Sequence, residues 1–318
     1  MNKVLITGGA GYIGSVLTEI VLNAGHEVTV LDNYFFKQKS LIGRMFDRKL
    51  NIVKGDVRDE KLLEELVPKH DIIVPLACLV GMPLCNRYPQ EAKQVNFEQI
   101  YNISKLSSKD QLIIYPTTNS GYGVGQRVEG KSIECTEETP LNPISLYGKL
   151  KANAEYVLLN NDKNNSVSFR LATVFGVSPR MRLDLLVNDF TYRACRDKYI
   201  VLFEANFKRN YIHVRDVANC FFGTMINPSG RTGQVFNLGL SSANLSKLEL
   251  CETIKKFVPD FYITTSEINK DPDQRDYIVS NKKLEDTGWV PRYTLEDGIQ
   301  EIIRAYPLLS IPTDTTNV

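Results

Sequence analysis

The sequence lacks both a charge bias and a long apolar run. Its 318 residues include 38 Lys and Arg against 37 Asp and Glu, which leaves a formal net charge of +1. No stretch concentrates like charges as a nucleic-acid tract or a membrane patch does, so we expect neither partner. The most apolar run, residues 72–84, contains Pro75, Gly81 and Pro83. It is also too short to cross a bilayer core, which needs about 20 residues.

Cysteine and histidine are too scattered for a metal site. The six Cys show no CxxC spacing, and the three His lie far apart in the chain. We therefore predict reduced thiols, no disulfide framework and no bound metal. The N-terminus passes from one Lys directly into a short apolar run and glycines. Because a secretory leader has a longer apolar segment and a cleavage site, we expect a cytoplasmic protein.

Short apolar runs alternate with helical periodicity through the first half of the chain. The strand-like runs are residues 3–7, 27–31, 51–53, 71–77, 111–115 and 167–171. The helix-like segments between several of them are residues 60–67, 90–106 and 145–161. This alternation predicts an α/β fold: a doubly wound, mostly parallel sheet of the Rossmann type with helices on both faces.

The rhythm changes after about Gly176. Helix-like segments then lie at residues 183–196 and 295–304, and strand-like runs lie at residues 199–203 and 235–238. No Pro-, Ser- or Gly-rich linker separates the two halves. We therefore predict a Rossmann domain over residues 1–175 and a smaller α+β region over residues 176–318, with chain crossings that interleave them.

The first turn carries glycines in a dinucleotide-binding pattern. Gly8, Gly11 and Gly14 are three apart, and Gly9-x-Gly11-x-x-Gly14 lies where the first strand ends and a helix begins. Such a turn lets backbone amides and the helix N-terminus approach a pyrophosphate. A glycine-rich turn without a ligand is the alternative. The preceding strand, the following helix and a downstream acid favour the dinucleotide.

Two acids follow the next strands. Asp32 lies 18 residues beyond Gly14, where a carboxylate would bind the adenosine ribose hydroxyls and repel a 2′-phosphate. Its neighbours are Asn33 and Tyr34 instead of Arg, so NAD is favoured over NADP. Asp56, just after the third strand, either caps the following turn or contacts the adenine, and the residues alone leave both roles open.

A Tyr-x-x-x-Lys pair opens the helix after the fifth strand. Tyr147 and Lys151 share one helix face. Thr118 belongs to a hydroxyl-rich run at the carboxyl end of that strand, where open α/β sheets bind ligands. Tyr101 and Lys105 repeat the spacing inside the preceding helix, where we expect a surface or interface role.

These residue types suit the oxidation of a sugar alcohol. Free tyrosine has a pKa of about 10, so it needs nearby positive charge to act as a base near neutrality. The Lys151 ammonium and an oxidised nicotinamide would supply that charge. Tyr147 would then take the hydroxyl proton while hydride leaves the same carbon, and Thr118 would hydrogen-bond the oxygen. Lys151 would also hold the nicotinamide ribose.

Arginines in the second half are candidate phosphate ligands. Arg209 begins a strand-like run that ends near Asp216. On the residues alone, an exposed strand with an Arg/Asp pair is favoured over a diphosphate site. Arg180, Arg182 and Arg275 are further candidates, because guanidinium groups suit bidentate phosphate contact.

Taken together, the motifs resemble the extended short-chain dehydrogenases/reductases, the nucleotide-sugar epimerase/dehydratase group. The likeness extends from the glycine turn through the Asp56 and Tyr147 motifs to Gly288-Trp289-x-Pro291, and so covers nearly the whole chain. It implies an NAD-dependent enzyme that acts on a nucleotide-sugar. It also implies a homodimer formed through residues 90–106 and 145–161.

The resemblance assigns site residues as well. It places Thr118, Tyr147 and Lys151 in catalysis and favours the diphosphate role of Arg209. The implied cofactor contacts are Gly8, Gly11, Tyr12, Ile13, Gly14, Asp32, Asn33, Asp56, Val57, Leu76, Ala77, Cys78, Asn96, Tyr147 and Lys151. The implied substrate contacts are Thr118, Asn119, Ser120, Thr173, Arg180, Arg182, Asn188, Arg209 and Arg275.

The residues after Thr118 discriminate between reactions of this group. Its 4,6-dehydratases have Asp-Glu there, whereas this chain has Asn119 and Ser120, which cannot shuttle protons as carboxylates do. Dehydration is therefore disfavoured. Residues 79–85, 118–123, 169–190 and 239–245 carry a narrower resemblance, to the GDP-manno-heptose 4-dehydrogenases of bacterial capsule biosynthesis. This resemblance implies oxidation of carbon 4 of GDP-D-glycero-α-D-manno-heptose to the 4-keto sugar.

Two alternatives stay open at this point. A nucleotide-sugar 4-epimerase would use the same three catalytic residues, and a non-catalytic NAD(H)-binding regulator would keep the fold without the chemistry. The intact set of Thr118, Tyr147 and Lys151 disfavours the regulator, because a sensor does not need it. If NADH stays bound after the oxidation, we expect a small keto acid to reoxidise it in the same pocket.

Overall fold

The computed structural model describes residues 1–128, 131–163, 165–267 and 275–309. Its strands are β1 Lys3–Thr7, β2 Glu27–Asp32, β3 Leu50–Lys54, β4 Ile72–Pro75, β5 Leu112–Thr118, β6 Gln126–Val128, β7 Lys131–Cys135, β8 Ser166–Leu171, β9 Thr173–Phe175, β10 Tyr199–Phe203, β11 Lys208–His213, β12 Val235–Leu238, β13 Asn244–Ser246, β14 Tyr262–Ser266 and β15 Ile278–Val279. Its α-helices are α1 Tyr12–Asn23, α2 Glu60–Leu66, α3 Met82–Arg87, α4 Pro89–Lys93, α5 Gln99–Leu106, α6 Leu146–Leu159, α7 Leu186–Arg196, α8 Val214–Ile226, α9 Lys247–Lys255, α10 Lys282–Glu285 and α11 Leu295–Leu309. Short 3₁₀ or π turns lie at Ile42–Arg44, Val67–Lys69, Gln94–Glu98 and Asn119–Tyr122.

Seven parallel strands form the main sheet, in the spatial order β12-β8-β5-β4-β1-β2-β3. β4 is buried at every residue and β1 at all but its first, which explains their unbroken apolar composition. The predicted doubly wound α/β fold is confirmed. Strands β1 to β3 are added towards one edge of the sheet, and the strands from β4 onwards are added towards the other. The order of strand addition therefore reverses between β1 and β4. Such a reversal opens a ligand crevice at the carboxyl ends of the strands.

The helix predicted over residues 90–106 is interrupted. α4 and α5 flank a π turn at Gln94–Glu98. In that turn the Asn96 side chain donates to the Leu79 carbonyl and accepts from the Leu79 amide, both at 2.9 Å. The apolar periodicity of residues 90–106 does not predict this π turn, because the contact made there is with Leu79, in a loop earlier in the chain.

The strand at Val235–Leu238, which we expected among the C-terminal elements, belongs to the main sheet. It pairs in parallel with β8. Phe169 of β8 packs on Phe236 of β12 and on Phe221 of α8, with ring centroids 5.9 and 5.5 Å apart. The chain therefore crosses back into the first region, and one hydrophobic core joins the two. The domain boundary at residue 175 stays a prediction.

The remaining strands form small sheets with the orders β13-β11-β9, β10-β14 and β15-β7-β6. The first and the last of these sheets combine strands from both sides of residue 175. β11 pairs in parallel with β9, which directly follows β8 of the main sheet. This pairing brings the end of the main sheet against the strand that carries Arg209. In the described ranges, no helix combines the length and the apolar composition that a membrane crossing requires.

Candidate active site

A cavity of about 980 Å³ lies at the carboxyl ends of the main-sheet strands. It brings together most of the predicted site residues. Those that line it are Gly8, Gly11, Tyr12, Ile13, Gly14, Asp32, Asn33, Asp56, Val57, Leu76, Ala77, Cys78, Thr118, Ser120, Tyr147, Lys151, Thr173, Arg180, Arg182, Arg209 and Arg275. Asn96, Asn119 and Asn188 do not line it.

The glycine turn has no room for side chains. Gly8 has a φ of +68°, and a Cβ atom there would lie 2.6 Å from the Ala77 nitrogen. A Cβ atom on Gly14 would lie 2.4 Å from the Gly8 oxygen. Gly11 caps α1 without any side-chain hydrogen bond, and the first turn of that helix holds no acidic residue. The first amides of α1 therefore face the cavity as an anion site.

Asp32 ends β2 beside this turn. Its carboxylate accepts hydrogen bonds from the Ala10 amide at 3.1 Å, the Tyr34 amide at 2.8 Å and the Gln38 side chain at 3.1 Å. Burial raises the pKa of Asp32, and these three donors oppose the shift. The side chain is thus held in one orientation at the edge of the cavity, next to the helix N-terminus.

The Asp56 carboxylate is hydrogen-bonded to neighbouring residues of the protein. One carboxylate oxygen accepts from the Arg58 amide at 3.0 Å and from Arg58 Nε at 2.8 Å, and the other accepts from Asn33 at 3.0 Å. The Arg58 guanidinium lowers the pKa of Asp56 to about 2. The turn-capping role is therefore present in the structure, and the adenine contact stays a prediction. Arg58 also lines the cavity, and sequence reasoning missed it.

Thr118, Tyr147 and Lys151 lie at the junction of β5 and α6. The Thr118 hydroxyl donates to Ser120 Oγ at 2.9 Å and accepts from the Ser120 amide at 3.1 Å. Ser145 caps α6, where its Oγ accepts from the Gly148 amide at 3.1 Å, so Tyr147 stands in the first turn of the helix. Lys151 lies one turn later.

The Lys151 ammonium is held away from solvent. The residue is 4% exposed, and Nζ lies 4.0 Å from the centroid of the Tyr115 ring. Burial lowers the pKa of Lys151, and the charge of Glu155 one helical turn further on opposes that shift. The amine thus sits in a position where an added anion, such as a tyrosinate, would favour its charged form.

Tyr147 is the ionisable acid of this group, and it is partly buried in the cavity wall. Burial raises its pKa far above the ordinary value, the thiols of Cys78 and Cys85 act in the same direction, and Arg182 and Arg275 oppose them. The phenol is therefore protonated in the protein alone. Additional positive charge in the cavity is needed before it can accept a proton near neutrality.

Two of the candidate phosphate ligands, Arg209 and Arg275, reach the cavity from the second region. Arg209 is 3% exposed and its Cζ lies 5.7 Å from the Tyr277 ring centroid. Asp216 instead accepts hydrogen bonds from the backbone amides of Arg292 and Tyr293, both at 3.0 Å. The exposed strand with an Arg/Asp pair is therefore wrong. Arg275 donates to Ser120 Oγ, and Ser120 in turn is hydrogen-bonded to Thr118.

The three asparagines outside the cavity have other surroundings. Asn96 holds the loop at Leu79 through its two hydrogen bonds. Asn119 is 1% exposed, and neither polar atom of its side chain has a partner among the described residues. Asn188 is fully buried, donating to Tyr12 Oη at 3.1 Å and accepting from the Gly176 amide at 3.0 Å. In this conformation Asn188 supports the wall of the cavity from behind.

Comparisons with known proteins identify the family. A sequence profile described as the NAD dependent epimerase/dehydratase family matches residues 4–239. The chain belongs to this family. It is thus an NAD-dependent enzyme of the extended short-chain dehydrogenase/reductase type, with activity of the nucleotide-sugar epimerase/dehydratase class.

Individual relatives cover nearly the whole chain. It is 28% identical over 312 residues to the low-salt glycan biosynthesis protein Agl12 of Haloferax volcanii, across 95% of this chain and 98% of that protein. It is 26% identical to UDP-glucuronic acid decarboxylase 1 of Arabidopsis thaliana, across 95% of this chain and 69% of that protein. The structure of UDP-glucose 4-epimerase from Thermotoga maritima with UDP-glucose has the same fold. Its TM-score is 0.83 at 23% identity, with 98% of this chain and 100% of that chain covered.

The cavity of this family member fits NAD. The close-packed glycine turn offers backbone amides for a pyrophosphate, and Asp32 offers a carboxylate for ribose hydroxyls. At the other end, the hydroxyls of Thr118 and Tyr147 face the same space. Further lining residues that sequence reasoning missed include Phe36, Lys247 and Tyr277. Of these, Lys247 carried a signal: it comes directly after the helix-capping Ser246, whose position predicts a helix start.

Proposed function

We propose that this protein oxidises carbon 4 of a nucleotide-sugar to the ketone, with GDP-manno-heptose as the first substrate to test. The observation that carries the proposal is the group Thr118, Tyr147 and Lys151 in the family's NAD cavity, together with Asn119 and Ser120 in place of carboxylates. The hydroxyl-bearing residues serve the oxidation, and the missing acid and base disfavour elimination of water.

Each residue of this group has its own role. Tyr147 takes the proton of the carbon 4 hydroxyl, and Thr118 hydrogen-bonds the same oxygen as it becomes a carbonyl. NAD supplies the hydride acceptor. Lys151, with Arg182 and Arg275 near Tyr147, stabilises the negative charge that the phenol carries after it has lost its proton to solvent. A buried site strengthens each of these interactions, because no bulk water screens them.

The principal rival is a nucleotide-sugar 4-epimerase. The fold shared with a UDP-glucose 4-epimerase supports it, and the same three residues would serve its first step. A ketone at carbon 4 also eases loss of carbon dioxide from a uronic acid, the reaction named for the Arabidopsis relatives. Oxidation at carbon 4 is therefore the step common to these activities, and the fate of the keto sugar distinguishes them.

Net oxidation requires that NADH be reoxidised. If the cofactor stays bound, a small keto acid entering the same cavity would take the hydride from NADH and the proton from Tyr147, and would leave as the hydroxy acid. Arg182, Arg209 and Arg275 line that cavity and offer positive charge for a carboxylate. The keto acid is part of the proposal, and a series of keto acids added to the reduced enzyme tests it by the loss of NADH absorbance.

A homodimer through α5 and α6 is also part of the proposal. Tyr101 of α5 and Tyr156 of α6 are 47% and 68% exposed, and a second subunit packed on these helices would cover their rings. Light scattering after gel filtration tests this. A double substitution of both tyrosines by Glu is expected to give monomers, and a wild-type monomer would contradict the dimer.

The deciding experiment compares substrates and products. Purified enzyme is incubated with GDP-manno-heptose or with UDP-glucose while NADH absorbance is monitored and products are identified by mass spectrometry and NMR. A product two hydrogens lighter, or its hydrate, formed with NADH from the GDP-sugar alone supports the proposal. An isomer of unchanged mass without net NADH would instead establish the epimerase. No conversion of any sugar, with NAD bound, would favour the regulator.

A further inference from the structure

A segment of the second region crosses the start of α1. We call residues 176–184, between β9 and α7, the strap. Tyr12 Oη donates to the Gly176 carbonyl at 2.6 Å, and Ser178 Oγ donates to the Tyr12 carbonyl at 2.7 Å. Ser178 also hydrogen-bonds Ser15 at 3.1 Å. Because Tyr12 and Ser15 belong to the first turns of α1, the strap lies beside the anion-binding end of that helix.

The strap is anchored along its length. Gly176 has a φ of +105°, and a Cβ atom there would lie 2.4 Å from His213 Nε2, so the backbone requires glycine. The Val177 amide donates to Glu301 at 2.9 Å. Near the other end, Asn188 donates to the Arg182 carbonyl at 2.9 Å and to Tyr12 Oη. These contacts set the positions of the two arginines between them.

Arg180 and Arg182 have different surroundings. Arg182 pairs with Asp184, with Nε 3.2 Å from Oδ1, and its charge acts on Tyr147 at the catalytic end of the cavity. Arg180 is 4% exposed, and its Cζ lies 5.1 Å from the centroid of the Phe36 ring. Phe36 stands in the loop after Asp32, so Arg180 faces the adenosine end of the cavity.

We propose that Arg180 binds the pyrophosphate of NAD, not the diphosphate of the nucleotide-sugar. Its guanidinium lies in the cavity wall between the loop after Asp32 and the strap residues bonded to α1. The first amides of α1 would hold the pyrophosphate on one side, and Arg180 would bind it from the strap. A planar guanidinium supplies paired donors and the charge that the helix end only partly provides.

Arg180 also connects the cofactor to the wall of the proposed substrate subsite, because the strap leads directly into α7 and carries Arg182. This role of Arg180 rests on the family's use of NAD and not on the proposed sugar. Its failure is therefore separable from failure of the proposed function.

The test is Arg180→Gln in cofactor-stripped enzyme. Calorimetry measures the affinities for NAD, ADP-ribose and GDP. We expect NAD and ADP-ribose to bind about 10- to 100-fold more weakly, since a charge-assisted hydrogen bond is lost, and GDP affinity to stay within twofold. Arg193→Gln, which removes a half-exposed arginine of α7, is the matched control and should change none of the three.

Other results overturn the assignment. Unchanged NAD affinity with weaker GDP binding would show that Arg180 binds the nucleotide-sugar instead. Unchanged affinities for all three ligands would show that Arg180 binds neither the cofactor nor the nucleotide-sugar. If the variant does not fold, hydrogen–deuterium exchange of the wild-type enzyme decides. NAD and ADP-ribose should slow exchange in the strap at least as much as GDP does. Slowing by GDP alone, or by none of the three, would contradict the proposal.

Discussion

The cofactor side and the substrate side of the cavity are built in different ways. On the cofactor side, the glycine turn, the start of α1 and Asp32 are continuous with neighbouring strands, and backbone amides form the anion site. On the proposed substrate side, Arg182, Arg209 and Arg275 come from separate segments and contribute side chains to the cavity. The cofactor side thus depends mainly on local backbone geometry, to which our proposal adds the Arg180 side chain, whereas the proposed substrate side depends on how distant segments pack.

The largest expected effect is a loss of turnover that leaves cofactor binding unchanged. Tyr147→Phe removes the base and should lower turnover by about 100- to 10,000-fold while NAD affinity stays within twofold. Initial rates and calorimetry measure the two quantities. Tyr101→Phe is the matched control because Tyr101 has the same spacing to a lysine but is 47% exposed on α5. Turnover close to wild type in Tyr147→Phe would contradict the proposed role of Tyr147 as the base.

A side chain added to the glycine turn should weaken cofactor binding. In Gly14→Ala the new Cβ atom would meet the Gly8 oxygen at 2.4 Å and the Gly9 Cα atom at 2.7 Å. We expect a loss of about 1–3 kcal/mol in the free energy of unfolding together with weaker NAD binding, as for other overpacked sites. Urea denaturation and NAD titration check it. Gly43→Ala is the control, since a Cβ atom there meets nothing within 4 Å.

A side-chain change should break the substrate side alone. Arg209→Gln removes a cation from the cavity without altering the glycine turn. We expect KM for the nucleotide-sugar to rise about 10-fold or more, with NAD content and stability of the holoenzyme nearly unchanged. Steady-state kinetics, the absorbance of released NAD and thermal unfolding measure the three quantities. Equal loss of NAD would mean that the two sides are not separable at this residue.

The smallest expected effect concerns the Asp56 turn. The pKa of Asp56 falls from 3.8 to about 2 beside Arg58, so its ionised form stabilises the fold above the unfolded pKa. Asp56→Asn should therefore cost less than about 1 kcal/mol at neutral pH, because the pair is partly exposed. That cost should shrink as pH falls through about 4 towards 2, where the wild-type carboxylate protonates.

Unfolding at several pH values tests this sign. The control is Glu65→Gln, whose ion pair with Lys69 is more than half exposed on both sides. A cost that grows towards low pH would contradict the linkage between Asp56 and Arg58.

Local patterns predicted much of the fold. β1, β10 and β12 occupy the residues predicted for strands, because short apolar runs between turn residues favour buried strands. They also predicted the family and NAD, since the glycine turn must have its spacing to admit a pyrophosphate. The burial of Arg209 and the hydrogen bonds of Asp216 were not predictable from the residues alone, because they depend on how α8 and the loop before α11 pack.

The sequence by itself determined the strand–helix order, the glycine turn and the spacing of Tyr147 and Lys151, which are all properties of neighbouring residues. Only the tertiary structure placed β12 in the main sheet, opened the π turn at Asn96 and laid the strap across α1. It also separated Arg180 from Arg182, two residues apart in the chain, into different ends of one cavity. These features arise from contacts between residues far apart in sequence, for which no local pattern carries a signal.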